Sequence, residues 1–174
     1  MGVADWIQSI GLFVAIIGLI ITILNNRKQL QIFNDQLKLN FFADYTKRYQ
    51  EIILNFPENI NEPNFEYDEL STDLKNKTLR YMRTYFDLCS EEYDLWRSGY
   101  IEDRVWENWK QGIEFAFSKR AFIDAWKIIK LDTIYYPEFS EWVNEVVIKN
   151  EVKLQQDKLE LEKLKEKAST QQRL

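Results

Sequence analysis

The stretch SIGLFVAIIGLIITILNNRK, residues 9–28, decides the fold of this chain. From Trp6 to Leu24 about 19 residues carry no charge, and at the helical rise such a run can cross a hydrocarbon core of roughly 30 Å. The alternative is a cleaved secretory signal, which needs a basic start and a small-residue cleavage motif. The first five residues contain Asp5 and no basic residue, and no A-x-A motif follows Leu24. The stretch therefore predicts an uncleaved transmembrane helix that contacts membrane lipids.

The charges that flank this segment predict its orientation. Basic residues follow the segment and none precedes it, and the positive-inside bias keeps basic flanks in the cytoplasm. We therefore expect a membrane protein with its N-terminus outside and the bulk of the chain in the cytoplasm. The basic residues that carry this prediction are Arg27, Lys28, Lys38, Lys47 and Arg48.

Length and net charge limit the number of domains and the kinds of partner that the chain can have. Its 174 residues leave room, beyond one span, for a single soluble domain. A net charge of -5 argues against a general nucleic-acid surface, because phosphate binding needs clustered basic residues. We therefore expect no strong nucleic-acid interaction.

The residue types that most enzymes use are scarce. The chain has no histidine, which removes the commonest neutral-pH base, the Ser-His and Cys-His pairs and histidine-ligated zinc. Its 5 glycines stand in no phosphate-binding frame. The single cysteine, Cys89, forbids an internal disulfide and suits a reducing compartment. We predict no cofactor, no metal and no catalytic residue, and a protein that is not an enzyme.

Apolar residues recur at spacings of three and four along most of the chain, which predicts an all-α fold. The first helix should continue past the membrane to about Ile52, because no proline occurs before Pro57. A second helix should begin at a cap formed by Ser71 or Thr72 and end at Gly99.

Three further helices should follow. Apolar faces predict a third and a fourth, and Pro137 suits the first turn of a fifth. No segment alternates with period two for long enough to predict a strand. The apolar faces expected to pack in helices two to five are Leu79, Met82, Phe86, Cys89, Tyr93 and Trp96; Ile101, Val105, Trp109, Ile113 and Ala116; Phe122, Trp126 and Ile129; and Phe139, Trp142, Val143, Val146 and Val147.

These patterns divide the chain into three regions. Residues 1–28 are the transmembrane helix with its flanks, and residues 29–150 are a cytoplasmic helical bundle. Within the bundle, residues 56–73 form an acidic loop, because they contain two prolines and no basic residue. Residues 151–174 are a charged C-terminal helix with a frayed tail, for which a solvated extension is favoured over a short self-associating coil.

On a helix, small and polar residues of the first segment fall on one stripe. Small residues let helix backbones approach in lipid, and polar ones can bond across the contact. The stripe predicts a homo-oligomerisation face or a pore lining; the alternative is a lone anchor, since small residues are common in spans. Its members, at alternating spacings of 4 and 3, are Ala4, Gln8, Gly11, Ala15, Gly18, Thr22, Asn25 and Gln29.

Two other features have a functional and a structural interpretation. The aromatic residues could stack on single-stranded RNA, but their helical spacing and the acidic charge favour core packing. The carboxylate pairs Glu91-Glu92 and Glu102-Asp103 are adjacent in sequence, so their members point to different parts of a helix and are expected to be solvated. The tryptophans concerned are Trp96, Trp106, Trp109, Trp126 and Trp142.

Three segments after the span carry a family resemblance: FFADYTKRYQEIILNFP (41–57), YMRTYFDLCSEEYDLWRSGYIEDRVWENWKQGI (81–113) and RAFIDAWK (120–127). The chain resembles the small transmembrane accessory proteins of type VI-B CRISPR systems, as well as single-span helical bacterial proteins of unknown function. The resemblance covers most of residues 1–150 and rests on hydrophobic patterns. It implies a degenerate RNA-nuclease-like helical fold, assembly into membrane pores, and an RNA-guided RNA nuclease as functional partner in phage defence.

The resemblance also implies where a nuclease motif would lie. Its pattern is R-x-x-x-x-H, in which the histidine transfers a proton. At Arg120 the chain reads RAFIDA, which places Ala125 where the histidine would stand. The resemblance therefore implies that Arg120 is structural or binds an anion, and nuclease activity is not expected.

Taken with the resemblance, these patterns predict an oligomeric inner-membrane protein that permeabilises or depolarises the membrane in antiviral defence. The alternative is a membrane-tethered scaffold whose cytoplasmic helical domain binds a protein partner.

Overall fold

The computed structural model describes residues 2–171, and within that range the chain is helical and contains no strand, so the all-α prediction is confirmed. One 3-10 helix, Tyr67–Glu69, lies between the first two α-helices. The α-helices of the described range are α1 (Val3–Ile53), α2 (Thr72–Arg97), α3 (Asp103–Ala116), α4 (Arg120–Ile129) and α5 (Pro137–Gln171).

The chain separates into two compact units, one up to Arg48 and one from Tyr49 onward. The sequence predicts a boundary between the transmembrane region and the bundle after Lys28, shortly beyond the end of the apolar segment. In the structure the second unit begins where α1 residues pack inside it: Ile52 is buried, and the ring of Tyr49 lies 6.4 Å from that of Tyr85.

In the first unit, α1 exposes its apolar surface. Every side chain from Ile10 to Leu24 is exposed. Among residues 2–171, α1 is the one helix long and apolar enough to cross a membrane, and none of its apolar window is buried against the chain. A helix that is apolar over most of its surface and has no partner in its own chain is unusual in water.

Both ends of α2 are formed as the sequence predicts. Ser71 is the N-cap, and its hydroxyl accepts a hydrogen bond from the backbone N–H of Leu74 at 3.4 Å. At the other end Gly99 adopts a φ of 77°, and the N–H of Tyr100 donates to the carbonyl of Leu95 at 2.9 Å. This is a Schellman motif, whose positive φ favours glycine because a Cβ would be strained there.

The second unit is built around α2, which packs against α3, α4 and α5. Of the apolar face predicted for α2, Met82, Phe86 and Cys89 are buried, whereas its other three members are half-buried. Tyr85 and Leu88 are buried as well. The buried face is therefore wider than the predicted one, because α2 contacts three helices.

Helices α4 and α5 carry their predicted faces into the core. Phe122, Trp126 and Ile129 of α4 are buried, and α5 begins at Pro137 as predicted. On α5, Phe139 and two valines are buried while Trp142 and Val146 are half-buried; the valines are Val143 and Val147.

The face of α3 differs from the prediction: Val105 and Ala116 are half-buried, and Ile101 is buried but precedes the helix. The sequence placed Trp109 on the apolar face, but it is only half-buried, and Trp106 is the buried tryptophan of this helix. Trp106 precedes the buried Ile113 by seven residues, which is close to two full turns. The two side chains therefore point the same way, and Trp109 lies to one side of them.

The acidic segment, residues 56–73, is a packed part of the second unit. Its backbone forms turns and a 3-10 helix, as a loop prediction allows, but Ile60, Phe65 and Tyr67 are buried. The hydroxyl of Tyr67 donates to the backbone carbonyl of Ala121 at 3.1 Å. The segment is thus anchored on the first turn of α4.

The C-terminal part of α5 projects beyond the packed core. Val152, Leu159 and Leu164 are exposed. The helix extends to Gln171, so residues 168–171 of the tail expected to fray are helical, and residues 172–174 lie outside the described part of the chain.

Candidate functional site

The stripe predicted on the apolar segment lies on one exposed face of α1. Positions separated by alternately three and four residues stay on one side of an α-helix, and α1 is unbroken over this range. The side chain of Ala4 lies outside the described part of the chain, and Gln29 is exposed. The remaining members are also exposed: Gln8, Gly11, Ala15, Gly18, Thr22 and Asn25.

The two glycines of the stripe are not required by packing within the chain. A Cβ added at Gly11 or Gly18 would meet no atom within 4 Å. Neither position has the positive φ seen at Gly99. Glycine in a helix interior lowers stability by about 1 kcal/mol relative to alanine. A close approach to the α1 backbone that compensates for this loss must therefore come from outside the chain.

The hydroxyl of Thr22 is satisfied within α1. Its Oγ1 donates to the backbone carbonyl of Gly18 at 2.8 Å. Because the hydroxyl has a partner in its own helix, Thr22 can lie in hydrocarbon or against another helix without losing a hydrogen bond. The small residues at the centre of the stripe therefore allow close packing, and the amide side chains of Gln8 and Asn25 lie near its ends.

Arg120, the second sequence-predicted site, lies between two carboxylates of the second unit. Its Nη1 is 2.8 Å from Oε1 of Glu66 in the acidic segment, and its Nε is 3.3 Å from Oδ2 of Asp124 on α4. These contacts tie the acidic segment to α4 beside the hydrogen bond from Tyr67. A guanidinium already engaged by two carboxylates is poorly placed to bind a phosphate.

Ala125 stands where the resemblance would place a histidine. It is completely buried in α4. A side chain at this position faces the packed core and not solvent, so a longer one would be overpacked.

Among the described residues, no group of three or more His, Cys, Asp or Glu could hold a metal ion.

We expect Arg120→Ala to act on the helical unit and to leave RNA untouched. Loss of the two partly exposed ion pairs should reduce the free energy of unfolding by about 1 kcal/mol, since such pairs contribute little individually. Thermal unfolding and incubation of purified wild-type and variant protein with labelled RNA provide the measurement. RNA cleavage by the wild-type protein that disappears in a folded Arg120→Ala variant would contradict this expectation.

Trp96, Trp106, Trp126 and Trp142 belong to one connected cluster of aromatic rings in the second unit. Trp106 and Trp126 are buried, and the other three tryptophans of this unit are half-buried. The rings of Trp96 and Trp106 stack with centroids 5.0 Å apart, and Nε1 of Trp96 donates to Oδ1 of Asp103 at 2.9 Å. Ring faces that contact one another are not free to stack on bases.

Sequence reasoning missed one buried carboxylate. Glu91 is exposed as expected, but Glu92 is buried, so the prediction that both are solvated is wrong for Glu92. Glu92 follows the buried Cys89 by three residues and therefore lies on the same side of α2. This spacing from an apolar face was the signal that could have identified it.

Cys89 lies in surroundings that suppress its chemistry. Burial, followed in effect by the negative charge of Glu92, raises the pKa of the Cys89 thiol well above its ordinary value. The thiolate is the reactive form of cysteine, so this side chain is not a nucleophile at neutral pH.

Over residues 2–171 the chain is all-α, with one candidate membrane span and a helical unit that has an aromatic core. No protein-family model, curated protein or solved structure matches the chain. The features of the molecule that bear on function are therefore the exposed segment of α1, its stripe and the packing of the second unit.

Proposed function

We propose that this chain is an oligomeric inner-membrane protein that permeabilises or depolarises the membrane in antiviral defence. The observation that carries the proposal is the apolar segment of α1, none of which is buried against the rest of the chain. In the proposed arrangement α1 is the single span, the N-terminus is outside, and the second unit is the main part of a cytoplasmic helical bundle.

Physical chemistry favours a bilayer as the surroundings of this segment. Among the described side chains between Trp6 and Leu24, twelve large apolar ones are exposed. Burying one such side chain stabilises by about 1.5 to 3 kcal/mol when its full surface leaves water. Transfer of the whole segment into hydrocarbon is therefore favoured by an amount on the order of 10 kcal/mol or more. The helix satisfies its own backbone hydrogen bonds, as a membrane interior requires.

The stripe supports association between copies. In lipid the apolar side chains gain nothing by meeting each other, so helices associate where small residues allow close packing and polar groups can pair. Gly11 and Gly18 provide that shape, and neither is explained by contacts within the chain. Several copies whose stripes face a common axis would surround a lumen lined by small and polar groups.

The link to defence rests on the resemblance of residues 41–57, 81–113 and 120–127 to the type VI-B accessory proteins. Under this proposal an RNA-guided RNA nuclease is the functional partner, and permeabilisation follows its activation. The second unit contributes no chemistry of its own: Arg120 holds the acidic segment, and Ala125 fills the core.

A scaffold is the second candidate, and one surface of the second unit favours it. Between α4 and α5, Leu131 is 82% exposed and Ile134 is 99% exposed. Arg83 holds this connection through both carboxylate oxygens of Asp132, each 2.9 Å from its Nη2. Rigidly presented apolar side chains suit binding of a protein partner.

The proposed activity is tested by membrane potential in cells. Cells expressing the full chain together with an activated RNA-guided nuclease should depolarise, as read by a potential-sensitive dye. Cells with the nuclease alone, or with a chain in which charged residues replace Ile16 and Ile20, should keep their potential. Equal potentials in all three would favour the scaffold.

We expect reporter fusions to show an inside C-terminus. A reporter active only in the cytoplasm should work after Leu174 and fail before Met1, because the basic flank follows the apolar segment. The reverse pattern would overturn the orientation. Activity at both ends would argue that α1 does not span the membrane.

A further inference from the structure

The register of the stripe continues in α1 beyond the apolar segment. From Gln8 onward, positions spaced alternately by three and four residues follow the a and d positions of a heptad. Seven charged residues occur from Arg27 to Arg48, yet none occupies such a position. Beyond the proposed span the positions are Asn25, Gln29, Ile32, Gln36, Leu39, Ala43 and Thr46.

This continuation is an exposed surface of the first unit. Helix α1 runs without a break through these residues. Ile32 is 48% exposed and Leu39 is 70% exposed, and Gln29 and Gln36 are exposed between them. This uncharged face, with Ile32 and Leu39 beside amide and small residues, can form a coiled-coil seam, in which a polar residue at a core position sets the register at a cost in stability.

The span determines which partner can meet this face. Copies that insert with one topology are parallel, and the bilayer holds identical residues at the same height. Tethering in one membrane also raises their effective concentration. A second copy therefore presents a seam of matching length and register, and its amides can pair with their equivalents. From Asn25 to Thr46 the seam is about 33 Å long at the helical rise, or roughly three heptads.

We propose that neighbouring copies continue their contact beyond the membrane as a parallel coiled coil along residues 25–46, with Asn25, Gln29 and Gln36 setting its register. The inference rests on the proposed function, because it requires copies that associate through α1. It adds an interface outside the bilayer to the contact inside it.

Cysteine cross-linking of the full-length chain in membranes tests the inference. Single cysteines at Gln29, Ile32, Gln36 and Leu39 should form disulfide-linked dimers under mild oxidation. Cysteines at Gln31 and Lys38 occupy c positions on the opposite side, and Gln31→Cys is a matched control for Gln29→Cys. The seam variants should cross-link several-fold more than the controls. The wild-type chain gives the background, since Cys89 is buried.

A second pair of variants separates this inference from the proposed function. Thr22→Cys lies on the stripe within the span, and Ile20→Cys lies on the far side of the helix. Cross-linking at Thr22→Cys with none at the four seam positions would overturn the coiled coil and leave association through the span intact. Equal cross-linking at seam and control positions, or a maximum at Leu30 and Leu37, would also overturn the proposed register. No cross-linking at any position would overturn both.

Discussion

Replacing Trp126 with alanine should lower the free energy of unfolding of the helical unit by about 3 to 5 kcal/mol, the usual cost of deleting a buried aromatic side chain. The indole is completely buried. Its ring meets Phe86 edge-on at 5.3 Å and stacks on Tyr135 at 5.2 Å. Its Nε1 donates to Oδ1 of Asn144 at 3.0 Å.

The size of this effect follows from two losses. Alanine would leave a cavity lined by the rings of Phe86, Phe117, Tyr135 and Phe139, and rings can collapse into it only partly. It would also remove one of two donors to Oδ1 of Asn144, the other being Nζ of Lys130. Trp126→Phe should be milder because it keeps most of the ring volume. It still removes the hydrogen bond, so it should not be silent.

Denaturant unfolding in detergent, followed by near-ultraviolet circular dichroism, measures this change. Tyr100→Ala is the control, because Tyr100 is 76% exposed and its loss should shift the midpoint little. A Trp126→Ala midpoint equal to that of the control would contradict the aromatic core described above.

Leucine at Gly18 or Gly11 should weaken assembly by about 1 to 3 kcal/mol, the usual cost of overpacking, and should reduce membrane permeability in parallel. Four added carbons would separate helix backbones at the point of proposed closest approach. Within the chain, a Cβ added at either position meets no atom within 4 Å. Dye entry into cells with an activated partner nuclease, compared at equal expression, gives the readout.

Two controls isolate the stripe. Ile17→Leu changes another face of α1 and should be silent. Gly112→Leu makes the same glycine-to-leucine exchange on an exposed position of α3, where a Cβ also meets nothing within 4 Å. Glycine variants of the stripe that keep wild-type permeability would reduce α1 to an anchor and favour the scaffold.

Local signals in the sequence were sufficient for three helix boundaries. The Ser71 cap, the Gly99 stop and the Pro137 start each act through the backbone of one turn, so neighbouring residues determine them. The faces were harder to predict, since burial depends on which helices meet. Trp106 is buried in place of Trp109, and Glu92 is buried where a solvated carboxylate was expected.

Long-range contacts also explain what was missed in the acidic segment. Its charges and prolines predicted a loop, and no local pattern indicates that Glu66 pairs with Arg120 or that Tyr67 reaches Ala121. The stripe on α1 could be identified from periodicity alone, because a helix converts spacing into a face. The contact that the stripe makes involves other copies, so one chain cannot determine it.

Native mass spectrometry of the full-length protein, released from mild detergent, tests the central claim that copies associate through α1. We expect a discrete oligomer at a multiple of the 21.0 kDa chain mass, which shifts to smaller species in Gly18→Leu and is retained in Ile17→Leu. A monomer for the wild-type protein, or an oligomer unchanged by Gly18→Leu, would contradict it.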